Sequence, residues 1–214
     1  MSKIKVVIFD FDDTLVLTKP IRFAAMKDAG KTFYDRDIND EDIEKHWGKS
    51  FPIMIKAIIQ HEAPAEEMVE KYLSILHKYP LKSYPQAAQT LKLLSNNYLL
   101  GLMTSSIKQF VTEGFKDAQL DLKLFDHIQT AEDTNVHKPN PEVFLPSLNY
   151  FAQKNIQKDE IIYVGDSESD HQAATNAGIN FVAIAENTTP KERFTALQAN
   201  YILSLSELPE YIKP

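Results

Sequence analysis

Val6-Val7-Ile8-Phe9 is apolar at four successive positions and stops at Asp10-Phe11-Asp12-Asp13-Thr14. A strand with apolar side chains on both faces needs cover on both, so this segment belongs in the middle of a sheet sandwiched between helices. Four of the next five residues are polar and cannot follow it into that core, so they mark the strand's carboxyl end. Short apolar runs of the same kind recur at residues 99–103, 128–130, 161–164, 181–184 and 201–202. Helical patterns at 85–94, 141–154 and 169–177 separate most of them. This alternation predicts an α/β fold with a doubly wound parallel sheet.

Between the first run and the rest, the chain reads as helices only. Residues 20–29 form one, expected to end at Gly30, and Asn39 can cap a second over 40–47. Ser50 can cap a third running to about residue 61, and Pro64 opens a fourth, where Met68, Tyr72, Ile75, Leu76 and Tyr79 keep helical spacing. Four helices with short connections read as a small bundle. The predicted organisation is a discontinuous α/β core, 1–16 and 83–214, interrupted by a helical domain over 17–82.

Composition excludes several classes. The 214 residues are 43% hydrophobic and 25% charged, as in an ordinary globular protein, and contain no cysteine, so a cysteine nucleophile, a disulfide scaffold and a thiolate metal site are out. The start of the chain lacks the pattern of a secretory signal, and no apolar stretch approaches the roughly 18–20 residues of a membrane span. A net charge of −7 argues against nucleic acid and anionic lipid as partners. The expectation is a cytoplasmic monomer or weak homodimer. An anionic substrate would then need a local cation.

Ligands of open parallel sheets bind beyond the carboxyl ends of the strands. Asp10 and Asp12 follow the first run, Thr104 and Ser105 the second, and Gly165-Asp166-Ser167-Glu168-Ser169-Asp170 the run at 161–164. Lys138, in His137-Lys138-Pro139-Asn140-Pro141, is expected to begin the helix before that last strand. Four carboxylates, one lysine and several hydroxyls could thus converge, a set suited to a hard cation and a phosphate together. Two carboxylates on a buried strand end are costly without a cation. Two decoys fall away. Gly48-Lys49-Ser50 ends like a P-loop but has Ile43 where the first glycine belongs, and no glycine fingerprint for a dinucleotide follows the first strand.

In this order the four motifs resemble those of the haloacid dehalogenase superfamily of hydrolases, in the capped phosphatase branch with phosphoglycolate phosphatases and β-phosphoglucomutases. They are Asp10-Phe11-Asp12-Asp13-Thr14, Thr104, Lys138 with Pro139 and Pro141, and Gly165-Asp166 with Asp170. The resemblance implies a helical cap inserted after the first motif and a Mg²⁺-dependent phosphatase acting on a small phosphorylated metabolite. Asp10 would be the nucleophile, forming an aspartyl-phosphate, and Asp12 the acid and base. Thr104, Ser105 and Lys138 would bind the phosphoryl oxygens. Asp10, the Asp12 carbonyl and Asp166 would hold Mg²⁺, with Asp170 as an auxiliary acid. In the cap, Trp47 and Lys49 are candidate substrate contacts.

Departures from the family pattern narrow the reading. Ser105 replaces a frequent asparagine, and Asp13 and Leu17 replace a common glycine and an acid. The acid Asp12 argues against dehalogenation, which has no leaving oxygen to protonate. Phe51 stands where mutases carry arginine, which favours transfer to water over transfer to a second sugar hydroxyl. A phosphomutase or an inorganic pyrophosphatase on the same scaffold is the alternative. A Schiff-base lysine, as in phosphonoacetaldehyde hydrolases, would have to come from Lys45, Lys49 or Lys56. A non-enzymatic receiver domain gathers similar residues but lacks the insert.

Overall fold

The computed structural model describes residues 3–47, 51–185 and 187–213. Residues 1–17 with 82–214 form one compact unit and 18–81 another.

The first unit is built on a six-stranded sheet. Its strands are β1 (Val6–Phe9), β4 (Leu99–Met103), β5 (His127–Gln129), β6 (Ile161–Gly165), β7 (Asn180–Ile184) and β8 (Tyr201–Ile202). They lie in the order β5-β4-β1-β6-β7-β8, and every pairing is parallel. β1 sits in the middle, with Val6 opposite both Leu99 and Ile161. All four of its residues are fully buried, as an apolar run with two faces requires. On one face Val6 and Ile8 join Phe144, Phe151, Tyr163 and Ala173 in a single cluster. On the other, Phe9 meets Phe125 edge-on at 6.4 Å, and Phe125 meets Phe115 at 5.5 Å. Each such buried side chain stabilises the fold by about 1.5–3 kcal/mol.

Helices α5 (Ala87–Leu94), α6 (Lys108–Asp117), α7 (Leu145–Ala152), α8 (Glu168–Ala177), α9 (Lys191–Ala196) and α10 (Leu208–Tyr211) complete this unit. A two-residue antiparallel pair, β2 (Val16–Leu17) on β3 (Lys82–Ser83), adds a ladder too short for any periodicity to signal. Lys138 does not begin a helix. It lies in a loop, because Asn140 accepts from the Glu142 N–H and starts a 3₁₀ turn over Pro141–Phe144, so α7 begins only at Leu145.

The second unit holds α1 (Lys19–Tyr34), α2 (Asp40–Glu44), α3 (Phe51–Ile59) and α4 (Ala65–Ile75) around its own core, which includes Met26, Ile43, Ile55, Met68 and Tyr72. Asn39 caps α2 by accepting from the Asp42 N–H. Ser50 lies outside the described residues. Gly30 does not end α1, which runs on to Tyr34 and turns at Asp35 in the left-handed region. The glycine serves packing instead: a Cβ there would come within 2.4 Å of Ile38 Cδ1. Among the described residues no helix is long and apolar enough to cross a membrane.

Candidate active site

The site lies at the carboxyl ends of β1, β4 and β6. The β1 ladder continues through the Asp10 N–H, which donates to Val164 O at 2.8 Å, and places the Asp10 carboxylate just past the carboxyl end of β1. One of its oxygens accepts from the Phe11 N–H at 2.8 Å, and the other pairs with Lys138 Nζ at 3.0 Å. The chain then turns sharply: Asp13 takes φ 54°, the left-handed conformation that glycine adopts at no cost and Asp tolerates. The Asn187 side chain fixes that turn by donating to Asp13 O at 2.7 Å.

Asp12 turns toward β4. Its Oδ2 accepts from Ser106 Oγ at 2.6 Å and from Thr104 Oγ1 at 3.5 Å. The Ser106 N–H donates to Thr104 Oγ1 at 3.0 Å, so the two hydroxyls are held as a pair. Ser105, between them, is exposed.

The third strand end supplies Asp166 and Asp170. Ser167 caps α8, and Asp170 completes a capping box. Asp170 Oδ2 accepts from the N–H groups of Asp166 and Ser167 and from Ser167 Oγ, at 3.2, 3.0 and 2.6 Å. Its Oδ1 pairs with Lys138 Nζ at 2.7 Å. Gly165 is required here because a Cβ would lie 2.6 Å from Asp170 Oδ2. Asp166 accepts from Thr14 Oγ1 at 3.3 Å and, on its other oxygen, from the Thr188 hydroxyl.

Oxygens of Asp10, Asp166 and Asp170 lie within 4.8 Å of one another, and all three residues are buried. Burial and crowding together shift their acidity. Burial, reinforced by Asp170 and Asp12, pushes the Asp10 carboxyl up to about 7 despite the attraction of Lys138. Burial also raises Asp166 well above the usual carboxylate range, with Asp170 and Asp10 adding to it. Burial alone would lower Lys138, but Asp10 and Asp170 outweigh it and hold the ammonium well above its usual range. Fully ionised, the cluster would carry more negative charge than its one lysine can balance, and a hard divalent cation fits it through oxygen donors alone.

Comparison with known proteins places the chain. The model of the haloacid dehalogenase-like hydrolase family matches residues 7–184. The chain belongs to that family. As a member of the haloacid dehalogenase-like hydrolases, it is 30% identical over 194 residues to a PpaX protein of Clostridium perfringens, covering 89% of this chain and 88% of the relative. It is 27% identical over 205 residues to the pyrophosphatase PpaX of Bacillus mycoides, covering 94% and 93%. The haloacid dehalogenase-like protein SP0104 of Streptococcus pneumoniae shares the fold, with a TM-score of 0.77, 21% identity and full coverage of both chains.

Of the residues singled out from sequence, this haloacid dehalogenase-like core brings together Asp10, Asp12, Thr104, Lys138, Asp166 and Asp170. Ser105 is exposed beside them, while its neighbour Ser106 is the residue that bonds to Asp12. Trp47 belongs to the helical unit, where it packs edge-on against Phe23 at 5.1 Å. Lys49 lies outside the described residues. Sequence reasoning also passes over Thr14, Tyr163, Asn187 and Thr188. A hydroxyl two residues beyond Thr104 is a signal that could find Ser106, whereas nothing periodic marks Thr188.

Proposed function

We propose that this chain is a Mg²⁺-dependent phosphohydrolase acting on a small phosphorylated metabolite through an aspartyl-phosphate on Asp10. The observation that carries this reading is the arrangement around Asp10: one carboxylate oxygen on Lys138, one on a backbone N–H, and a second acid, Asp12, two residues away on its own hydroxyl pair.

The steps follow from those contacts. An Asp10 oxygen attacks phosphorus while the bond to the leaving oxygen breaks, and Asp12 gives that oxygen a proton. Asp12, now ionised, takes a proton from water as the water oxygen attacks phosphorus. The bond to Asp10 then breaks and inorganic phosphate leaves. Lys138 and the Thr104 hydroxyl steady the phosphoryl oxygens. Asp10, Asp166 and the Asp12 carbonyl would hold Mg²⁺, which supplies positive charge to offset that of the phosphoryl group. Asp170, with both oxygens engaged, brackets Lys138. The helical unit acts as the cap that selects the substrate, in a cytoplasmic monomer or weak homodimer.

One observation favours a second reading, hydrolysis of inorganic pyrophosphate: a relative at 27% identity over nearly all of both chains is named a pyrophosphatase. Phosphate release measured over sugar phosphates, nucleotides, phosphoglycolate and pyrophosphate separates the two. Asp10→Asn should fold and release no phosphate from any of them, since an amide does not attack phosphorus. Steady turnover by the folded variant overturns the mechanism.

A further inference from the structure

Lys138 has no hydrogen to spare. Its ammonium has three N–H bonds, and three acceptors surround it: Asp170 Oδ1 at 2.7 Å, Asp10 Oδ2 at 3.0 Å and the Tyr163 hydroxyl at 3.1 Å. Tyr163 lies in β6 with no exposed surface, and Lys138 Nζ stands 5.6 Å from its ring centre. Its own hydrogen has an acceptor in the Met103 carbonyl at 3.2 Å, with Asp170 Oδ1 next at 3.4 Å. Burial, with Asp10 and Asp170 nearby, raises this phenol well above its usual range, so it stays neutral and accepts from Lys138 as a phenol.

A phosphoryl oxygen that is to bind Lys138 must therefore take a hydrogen already in use. The bond to Asp170 is charge-assisted on both sides, as is the bond to Asp10 once that carboxyl is ionised, and these are the stronger ones. The phenol is the weakest of the three acceptors. It also loses least, because its donated bond to Met103 survives the exchange.

We infer that Tyr163 is a resting-state acceptor for Lys138, holding the third ammonium hydrogen in the free enzyme and yielding it to the phosphoryl group on binding. Tyr163 is thus a positioning residue that acts through Lys138, and the inference rests on the reading of Lys138 as a phosphoryl ligand. By satisfying the lysine only in the free state, the phenol weakens the hold on phosphate and speeds its release. Tyr163→Phe leaves the ring and removes the acceptor. The free enzyme then carries a buried, unpaired N–H that only the ligand can satisfy, so phosphate binds more tightly.

The test is the dissociation constant of inorganic phosphate, measured by calorimetry at saturating Mg²⁺ for the wild type, Tyr163→Phe and Lys138→Met, each checked for folding by circular dichroism. Tyr163→Phe should tighten phosphate about three- to tenfold, lowering KM while kcat stays level or falls. Lys138→Met should weaken it at least about tenfold. Unchanged or weaker binding by Tyr163→Phe, with the Lys138→Met loss intact, overturns the role of Tyr163 and leaves the reading of Lys138 standing. No loss in Lys138→Met removes both. If either variant fails to fold, a crystal structure of the wild type with phosphate decides. Lys138 bonded to phosphate and moved out of hydrogen-bond range of Tyr163 supports the exchange. Lys138 bonded to phosphate and still to Tyr163 overturns it, and Lys138 away from the phosphate removes the reading beneath it.

Discussion

Removing divalent cations should make the stability of this protein fall as pH rises through neutrality, and Asp10 is the residue to watch. Its carboxyl is raised from 3.8 to about 7, first by burial and then by Asp170 and Asp12. The folded state therefore holds a proton that the unfolded chain has already released. A group raised in this way contributes its full stability below the unfolded pKa, near 4, and loses it as pH climbs through the folded value. The shift is worth at most about 4 kcal/mol, at about 1.4 kcal/mol per unit, and local relaxation lowers that ceiling. The assay is urea denaturation in EDTA at pH 5, 6, 7 and 8, for the wild type and for Asp10→Asn, which has nothing to titrate there. Between pH 5 and 8 the wild type should lose about 2 kcal/mol relative to the variant. His127 is lowered by burial and has the opposite sign, but it is common to both proteins and drops out of the difference. Mg²⁺ at pH 8 should restore the loss in the wild type, because a cation does there what the proton does at pH 5. Parallel profiles for the two proteins in EDTA would refute the crowding argument.

Three more outcomes follow from the same geometry. Ser106→Ala should lower kcat about tenfold, roughly 1.4 kcal/mol, by freeing Asp12 from its 2.6 Å hydrogen bond, while Ser105→Ala should change kcat by less than about twofold; steady-state kinetics compares them. Gly165→Ala should destabilise by about 1–3 kcal/mol, because Asp170 is held on both oxygens and cannot move away from the new methyl; a calorimetric melt reads this as a loss of roughly 3–10 °C. Phosphate release should stop in EDTA and return with Mg²⁺ but not with Ca²⁺, whose longer bonds and larger ligand number disturb in-line attack; a colorimetric phosphate assay checks it.

The sheet and most of its acidic edge were legible in the sequence because both are local patterns. An apolar run such as Val6–Phe9 must be covered on two faces, and the polar residues that end it must lie at the strand's mouth. Asp10 and Asp166 could be named on that logic, although their distances could not, whereas Lys138 rests on an expected helix start that the Pro141–Phe144 turn replaces. What escaped depends on contacts between distant residues. That Ser106 turns to Asp12 is decided by the turn after β4. Tyr163 reads as one more apolar residue of β6, and its polar use appears only when Lys138 arrives from 25 residues away. Thr188 reaches Asp166 across 22 residues from a loop with no periodic signal. Gly30 reads as a helix stop until Ile38 is seen to fill the space beside it.

The central place of β1 also sets the order of events during synthesis. Val6–Phe9 is made well before its partners on the two sides, residues 99–102 and 161–164. At about 5–20 residues per second, the first partner strand is made roughly 5–20 s later and the second several seconds after that. The segment 18–81, which carries its own core, is complete before either. During synthesis the apolar strand Val6–Phe9 therefore waits for both of its partners with the whole of segment 18–81 already made behind it, a stretch of time in which its apolar faces have no sheet to join.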